Sequence, residues 1–358
     1  MLSDERSRVL QGIERGAPFH GPETIHVDVT NACHASCVTC WDHSPLLRVA
    51  RAPEWKRRRM APERLEALLD DASTLGGLRK IILSGMGEPF GHPDIERLIQ
   101  AVKSRGLHLT VITHLTLADP ARVVELGVDQ LLVGVHAASE AAYRAFHPGF
   151  RGDEWRRLVA ALGVFRAAGR RFKHVQVICS TNAHELPEMV RFADEHRAHG
   201  ITFKLASLRD GTEARRITED QRATLVADGV PRARALSAEL GVATNLDVFA
   251  RQLAAGGAET APISEIGCFI GYTYARVTVD GTVLYCCDPA IVVGHLDEAS
   301  FSELWSGPRW AELRARLRRG EYLPRCGQCG KLAQNVELRE RFTQRYGEDR
   351  ARAVTGAR

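Results

Sequence analysis

The cysteines of this chain constrain its fold more than any other feature of the sequence. Eight of the nine fall into two groups that lie near opposite ends of the chain, and one stands alone between them. Intracellular cysteines seldom form disulfides, so groups of this kind predict metal sites or catalysis. The members are Cys33, Cys37 and Cys40 in the first group, Cys268, Cys286, Cys287, Cys326 and Cys329 in the second, and the isolated Cys179.

The chain between the two groups alternates short apolar segments with amphipathic ones. Segments rich in Val, Ile and Leu are typical of strands covered on both faces, and apolar residues at helical spacing indicate helices. We predict strands over 25–30, 78–85, 107–114, 130–137, 174–181 and 201–208, and helices over 62–73, 94–105, 153–168 and 185–199. This alternation predicts an α/β fold with a parallel sheet, curled into a partial (β/α)6 barrel.

The character of the sequence changes near residue 266, where short strands flank a turn at Asp280-Gly281. We therefore expect a smaller C-terminal α+β domain after the barrel. The expected units are an N-terminal leader segment over 1–23, the barrel over 24–212, a helical linker with a Gly/Ala-rich break over 213–265, the small domain over 266–332, and a charged helix and tail over 333–358.

Composition excludes several classes of protein. Hydrophobic residues are 44% and charged residues 26% of the 358, as in ordinary globular proteins. No stretch approaches the roughly 18 apolar residues of a membrane helix, and the start lacks the apolar region of a signal peptide. The basic excess lies in residues 308–358, with 13 Lys and Arg against 6 Asp and Glu. We expect a cytoplasmic protein without a membrane or nucleic-acid partner.

The first group of cysteines has Cys-x3-Cys-x2-Cys spacing and directly follows the first predicted strand. In a β/α barrel, this loop lies on the face that carries catalysis. Three thiolates can hold three irons of a 4Fe–4S cluster, and with no fourth cysteine nearby the fourth iron is open to another ligand. The alternative is a structural zinc with His34 or His43 as the fourth ligand.

This loop resembles the signature of the radical S-adenosylmethionine (SAM) superfamily, and the resemblance covers most of residues 24–210. It implies that SAM binds the open iron and is cleaved by one electron, and that the resulting 5′-deoxyadenosyl radical abstracts hydrogen from a substrate. The implied SAM contacts are Trp41, beside the adenine, and a glycine-rich segment that ends the second strand, with Ser84, Gly85, Gly87 and Glu88.

The resemblance implies further SAM contacts after later strands. His136 and Ser139 follow the fourth predicted strand, Asn182 follows the fifth, and Leu205 lies on the sixth. A histidine at a strand end is more often a structural hydrogen-bonding residue, and core packing explains the leucine equally well.

The second group of cysteines contains four candidate ligands from three separate segments, Cys268, Cys286, Cys326 and Cys329. Their spacing alone does not distinguish an iron–sulfur cluster from zinc. The pattern resembles the auxiliary-cluster extension called SPASM, and its short form called twitch most closely. This resemblance implies one auxiliary 4Fe–4S cluster with four protein ligands, which transfers electrons and does not bind substrate.

Two cysteines are not needed as ligands and are candidate catalytic residues. Cys287 adjoins a ligand, and Cys179 ends the fifth predicted strand. A thiol facing the substrate radical would donate a hydrogen atom, as in radical epimerases. The alternatives are a spare ligand at Cys287 and a small core residue at Cys179.

The sequence constrains the identity of the substrate less than it constrains the fold or the cofactors. The single auxiliary cluster resembles the aminocyclitol dehydrogenase and aminoglycoside epimerase type, which implies an aminocyclitol, amino sugar or nucleoside sugar in natural-product biosynthesis. The reaction would be dehydrogenation, epimerisation, dehydration or decarboxylation, with an external electron donor of the flavodoxin or ferredoxin type. A basic run over 48–59 either clamps an anionic substrate or is a solvated loop.

Three alternatives remain open for the function. One is maturation of a ribosomally made peptide, although the 32 residues before Cys33 are too few for the leader-binding domain that such enzymes often carry. The second is a metal-binding module without enzymatic activity. The third is a tRNA- or rRNA-modifying enzyme, against which the near-neutral charge of the barrel argues.

Overall fold

The protein, seen here as a computed structural model that describes residues 2–255 and 263–356, is built on one nine-stranded sheet. The strand order is β6-β5-β4-β3-β2-β1-β7-β8-β9. The strands are β1 Thr24–Asp28, β2 Lys80–Ser84, β3 His108–Thr113, β4 Gln130–Gly134, β5 Phe172–Ile178, β6 Ile201–Leu205, β7 Tyr274–Val277, β8 Thr282–Leu284 and β9 Val292–His295. Part of the predicted Gly/Ala-rich break lies outside the described residues.

Strands β1 to β6 form a parallel sheet in sequence order, with helices in the connections. The predicted partial barrel is therefore confirmed, and it is open because β6 ends the sheet. The helices up to β6 are α1 Leu2–Arg15, α2 Pro53–Lys56, α3 Pro62–Thr74, α4 Ile95–Lys103, α5 Pro120–Glu125, α6 Glu140–Phe146, α7 Glu154–Ala167 and α8 Leu186–Glu195.

The C-terminal region continues the same sheet. Strand β7 pairs with β1 in parallel, and β7, β8 and β9 then form an antiparallel meander. The helices of the second half are α9 Glu219–Thr224, α10 Val230–Leu240, α11 Leu246–Ala254, α12 Ile263–Ile266, α13 Phe301–Ser306, α14 Pro308–Arg318, α15 Leu332–Tyr346 and α16 Glu348–Thr355. Gly347, with φ of 87°, separates α15 from α16, so the expected C-terminal helix is in fact two helices.

The two faces of the sheet differ in polarity. Ile25 and Val27 of β1 pack with Leu65 and Leu69 of α3 in the main hydrophobic core. The alternate residues of β1, His26 and Asp28, point to the other face, which is the barrel interior. Strands with alternating burial, such as β5, present partly exposed residues to the interior, so this face is less covered than the Val-, Ile- and Leu-rich segments predict.

No helix within the described ranges is long and apolar enough to cross a membrane. All six predicted barrel strands are present, but several predicted ends extend too far. The segments 130–137 and 174–181 run past Gly134 and Ile178 because their last residues belong to loops at the carboxyl end of the sheet. Those loops build the candidate site.

Candidate active site

The first cysteine loop, residues 31–42, leaves the carboxyl end of β1, and its three cysteines are half-buried. The backbone N–H of Cys40 donates to the carbonyl oxygen of Cys37 at 3.0 Å, which forms a tight turn. The Cys40 sulfur in turn accepts the backbone N–H groups of His43 at 3.3 Å and Asp42 at 3.5 Å. Such N–H donors favour a thiolate, so the loop is organised for ligation.

Burial has the opposite effect on these thiols. It raises the pKa of Cys33 to about 12, and it raises the pKa of Cys37 and Cys40 as well. A desolvated thiol ionises readily only when a cation takes the place of its proton, so ligation at this loop releases protons. The donor set therefore suits an electropositive iron cluster.

The glycine-rich segment after β2 lies directly against the first cysteine loop. The N–H of Gly87 donates to the Thr30 carbonyl at 3.0 Å, and the N–H of Glu88 donates to the Ala32 carbonyl at 2.8 Å. A Cβ atom on Gly85 would stand 2.2 Å from the Thr30 oxygen, and one on Gly87 would stand 2.2 Å from the Ala32 oxygen. Only glycine fits at these two positions, so the segment sets the position of the loop.

The Glu88 carboxylate accepts its hydrogen bonds from other groups of the protein. It is 2% exposed and accepts hydrogen bonds from the Thr113 hydroxyl and from the backbone N–H groups of His114 at 2.9 Å and Phe90 at 3.3 Å. Burial raises the pKa of Glu88 to about 7. The side chain thus joins the β2 loop to the end of β3, and a contact between its carboxylate and SAM stays a prediction.

Trp41 joins the first cysteine loop to the loop after β6. Its indole N–H donates to the Ser207 carbonyl at 2.6 Å. The guanidinium carbons of Arg209 and Arg325 lie 4.1 and 6.0 Å from its ring centroid. Two cations therefore lie near this ring, and the predicted adenine contact stays a prediction.

The predicted polar contacts after β4 and β5 brace these loops. Asn182 is fully buried, and its side-chain amide donates to the His136 carbonyl at 2.8 Å and the Val177 carbonyl at 2.9 Å. His136 has φ of 59°, and its Nδ1 accepts the Val177 N–H at 3.0 Å. Ser139 caps α6 and donates to Glu185. These bonds fit the structural alternative for His136, and Leu205 packs at the edge of the core around α10 and α11.

Ser84 belongs to a buried polar network in the barrel interior. Its hydroxyl contacts His26 and donates to Asp28 at 3.2 Å. Arg276 of β7 makes an ion pair with Asp28 at 2.8 Å and donates to the Cys287 carbonyl at 3.2 Å. The network therefore links β1 and β2 to the second group of cysteines.

The five cysteines of the second group line one cavity of about 310 Å³, which we call the cysteine cavity. Trp41 and Ser207 from the barrel loops line it too. Asn335 is fully buried beside it, where its amide donates to the Cys329 sulfur at 3.7 Å and accepts the Phe269 N–H at 2.8 Å. The fold thus brings together cysteines from three distant segments, as predicted, and places them next to the first cysteine loop.

The two candidate hydrogen donors differ in their surroundings. Cys287 lines the cysteine cavity beside Cys286, and a Cβ on Gly330 would stand 3.0 Å from its sulfur. Cys179 is fully buried, packs against Val38 of the first cysteine loop, and contacts the Thr181 hydroxyl at 3.1 Å. Cys179 is therefore placed as a core residue, whereas Cys287 has access to the cavity.

The five cysteines of the second group line the cysteine cavity, whose volume has room for a cluster of several irons. Within the described ranges, no group of three or more His, Cys, Asp or Glu side chains is arranged as a metal site. A zinc site completed by His34 or His43 stays an alternative for the first group.

The polar side chains of the barrel interior were not predicted from the sequence; they are Lys204, Tyr274, Arg276 and Lys331. Polar residues alternate with apolar ones in β1, β6 and β7, and this alternation was the available signal. The basic run over 48–59 is less suited to a clamp than expected, because Arg51 pairs with Asp42 at 2.7 Å and Arg58 with Asp280 at 3.1 Å.

Comparison with known families agrees with this geometry. A model described as the radical SAM superfamily matches residues 27–193, and the SPASM iron–sulfur cluster-binding domain matches residues 268–330. A tungsten-containing aldehyde ferredoxin oxidoreductase cofactor-modifying protein from Pyrococcus furiosus is 28% identical over 110 residues, which are 29% of this chain and 28% of that protein.

Solved structures share the fold over most of the chain. Streptococcus suis SuiB bound to SAM superposes with a TM-score of 0.62 at 16% identity, over 94% of this chain and 76% of SuiB. The structure of anSMEcpe with bound SAM gives a TM-score of 0.61 at 15% identity, over 90% of this chain and 92% of that one. SuiB bound to the precursor peptide SuiA gives 0.60 at 15% identity, over 94% and 75%. The two domains imply 4Fe–4S clusters and SAM as cofactors, and this chain carries a radical SAM domain followed by a C-terminal SPASM iron–sulfur domain.

Proposed function

We propose that this enzyme abstracts hydrogen from a peptide that binds between the barrel loops and the cysteine cavity. The observation that carries the proposal is that Trp41 and Ser207 from the barrel loops lie at the wall of the cysteine cavity, so the two groups of cysteines adjoin and a substrate held between them would face both. Two neighbours in fold were solved with peptides, SuiB with SuiA and anSMEcpe with the peptide Cp18Cys. These neighbours do not support the predicted sugar-like substrate, which the test below includes as the alternative hypothesis.

The first cysteine loop would hold the SAM-binding cluster through Cys33, Cys37 and Cys40. When bound, the cluster and SAM supply a 5′-deoxyadenosyl radical. The protein contributes position: the glycine-rich segment supports the loop from one side, and Trp41 closes it on the side of the cysteine cavity. These contacts would keep water from the reacting atoms.

The cysteine cavity would hold the auxiliary cluster through Cys268, Cys326, Cys329 and one of Cys286 and Cys287. Both neighbouring sulfurs reach the cavity. Four thiolate ligands leave no open iron, so this site would transfer electrons between an external donor of the flavodoxin or ferredoxin type and the substrate. If Cys286 is the ligand, the Cys287 thiol is free to face the substrate.

The test is anaerobic formation of 5′-deoxyadenosine by the reconstituted enzyme with SAM and dithionite. Pools of synthetic peptides, aminocyclitols, amino sugars and nucleoside sugars are added in turn. We expect the rate of 5′-deoxyadenosine formation to rise above the substrate-free rate with the peptide pool and not with the three small-molecule pools. If a sugar class stimulates 5′-deoxyadenosine formation and peptides do not, the proposal is contradicted and the small-molecule hypothesis is favoured. A Cys40→Ser variant, which lacks one ligand of the first site, is the control for non-enzymatic cleavage.

A further inference from the structure

Residues 48–59, which we call the basic segment, lie on the surface beside the first cysteine loop. The segment contains six Lys and Arg residues and one Glu. The cations are Arg48, Arg51, Lys56, Arg57, Arg58 and Arg59, all exposed apart from the half-buried Lys56. Within the described residues, no part of the basic segment lines the cysteine cavity. The segment therefore faces solvent and not the space proposed for the substrate.

Backbone hydrogen bonds join the basic segment to the start of the first cysteine loop. The N–H of Asn31 donates to the Arg58 carbonyl at 3.0 Å, and the N–H of Met60 donates to the Val29 carbonyl at 2.9 Å. The side-chain amide of Asn31 also donates to the Trp55 carbonyl at 3.1 Å. The segment therefore keeps a fixed position relative to the cysteines.

Trp55 connects the exposed cations to a cysteine of the loop. Its ring centroid lies 5.0 Å from the guanidinium carbon of Arg51 and 6.0 Å from the ring centroid of His43. The backbone N–H of His43 donates to the Cys40 sulfur at 3.3 Å. Because electron tunnelling weakens steeply with distance, an electron donor has to bind close to the site that it reduces. Only Trp55 and His43 separate the surface from a predicted cluster ligand here.

The carboxylates near the basic segment balance its charge only in part. Its ion pairs are Arg51–Asp42 at 2.7 Å, Arg57–Glu54 at 3.0 Å and Arg58–Asp280 at 3.1 Å. Backbone N–H groups lower the pKa of Glu213, and the nearby Arg48 lowers it further. Lys56 and Arg59 form no ion pair within the described ranges. Since Asp42 is also buried, a protein that approaches this surface meets six cations and three partly exposed carboxylates.

We propose that the basic segment is the docking surface for an acidic one-electron carrier protein, which reduces the site at Cys33, Cys37 and Cys40. One electron passes from the carrier to this site, so the carrier is oxidised by one electron and no covalent bond forms or breaks. Transient redox complexes bury little surface, below about 1,200 Å², which a segment of this size can supply. Opposite charges raise the rate of such encounters. The proposal goes beyond the peptide function and does not depend on it.

The test measures the association of dye-labelled flavodoxin, used as the acidic carrier, with the anaerobic holoenzyme. Stopped-flow anisotropy gives the association rate. We expect Lys56→Gln/Arg59→Gln to associate about fivefold or more slowly than the wild type at low salt. The difference should disappear at about 1 M salt, where charges are screened beyond about 3 Å. Carbodiimide, which joins a carboxylate to a lysine ammonium, should cross-link flavodoxin to Lys56.

Two further double variants separate the effect of charge from an effect on structure. Lys56→Arg/Arg59→Lys keeps both charges and should associate like the wild type. Lys173→Gln/Arg171→Gln removes the same charges at the amino end of β5, opposite the cysteine loops, and should also associate like the wild type. Iron content should be equal in all of these proteins, because none of the changed residues is a predicted ligand.

Reduction of the iron–sulfur absorbance is a second measurement. Photoreduced flavodoxin should bleach this absorbance more slowly in Lys56→Gln/Arg59→Gln than in the wild type. Reduced methyl viologen is a small cation that positive charge does not attract, so it should not bleach the variant more slowly.

Several results would overturn the proposal. They are unchanged association in Lys56→Gln/Arg59→Gln, an equal loss in Lys173→Gln/Arg171→Gln, and cross-links that all lie outside residues 48–59. Tighter binding of a single-stranded RNA than of flavodoxin, lost in the same variant, would assign the basic segment to nucleic acid instead. None of these measurements uses a peptide, so failure of the docking surface is distinguishable from failure of the proposed function.

Discussion

Gly87 lies directly against Ala32, and a Cβ atom at Gly87 would stand 2.2 Å from the Ala32 carbonyl oxygen. The next residue, Glu88, is joined to Ala32 as well, because its N–H donates to that same oxygen at 2.8 Å. Ala32 precedes the first cysteine. The position of the cluster loop is therefore set by backbone contacts with the segment after β2, and not by the cysteines alone.

Gly87→Ala should displace the first cysteine loop and lower the iron bound there. Overpacking of this kind typically costs about 1–3 kcal/mol, because neither backbone segment can move freely. Iron analysis and denaturant unfolding of the purified variant measure both effects. Gly91→Ala is the control, since a Cβ at Gly91 meets only the end of the flexible Leu117 side chain at 3.4 Å. Full iron content in Gly87→Ala would contradict this account of the loop.

The cysteine spacing and the strand pattern were sufficient to predict the partial barrel and the two groups of ligands. Local signals carried these features, because each strand is an apolar run and each loop keeps its spacing in the sequence. The pairing of β7 with β1 was not predictable in this way. It joins residues about 250 positions apart, such as Thr24 and Tyr274, and no local pattern records which edge of the sheet is free.

The roles of the predicted cofactor contacts were harder to read from the sequence. Asn182 and Ser139 occupy the expected loops, but each donates a hydrogen bond to a protein group 46 residues away in the sequence, Asn182 to the His136 carbonyl and Ser139 to Glu185. Sequence gives the position of a side chain along a strand and not its partner. Lys204 was missed because β6 was treated as buried on both faces.

Glu88→Gln should weaken the pH dependence of stability. The carboxyl has a raised pKa of about 7 in the folded state because of burial, against about 4.3 when unfolded. Between about pH 4.3 and pH 7, the folded state therefore binds more protons than the unfolded state does. The free energy of unfolding consequently falls as the pH rises through this range. The wild type should lose on the order of 2–3 kcal/mol more than Glu88→Gln between pH 5 and pH 8.

Urea unfolding at the two pH values measures this difference. Glu96→Gln, which changes an exposed residue paired with Arg122, is the control and should follow the wild type. Parallel pH profiles for the wild type and Glu88→Gln would show that Glu88 does not titrate in this range.

Arg276→Met should destabilise the protein strongly because it leaves the fully buried Asp28 without its counter-charge. Breaking a buried pair from one side typically costs about 3–5 kcal/mol. The double variant Asp28→Asn/Arg276→Met should recover part of the loss, since no charge is then left unpaired. Arg58→Met breaks an exposed pair with Asp280 and should cost about 1 kcal/mol or less. Equal losses in Arg276→Met and Arg58→Met would refute the buried network.

The two groups of cysteines should load iron independently. The reconstituted wild type is expected to bind about eight irons, and Cys40→Ser and Cys326→Ser should each retain about four. Cys326→Ser should keep SAM-dependent spectral changes, because the open iron belongs to the first site, and Cys40→Ser should lose them. Iron and sulfide analysis with electron paramagnetic resonance distinguishes the sites. Zinc without sulfide in either variant would contradict the assignment of clusters.

The central claim is that the enzyme takes hydrogen from a peptide, and isotope transfer tests it most directly. The enzyme is incubated anaerobically with SAM, dithionite and the stimulating peptide pool made from fully deuterated amino acids, and the 5′-deoxyadenosine is analysed by mass spectrometry. The account predicts 5′-deoxyadenosine that carries deuterium from the peptide. Product that stays unlabelled with deuterated peptide, but gains deuterium from a deuterated amino sugar, would contradict it.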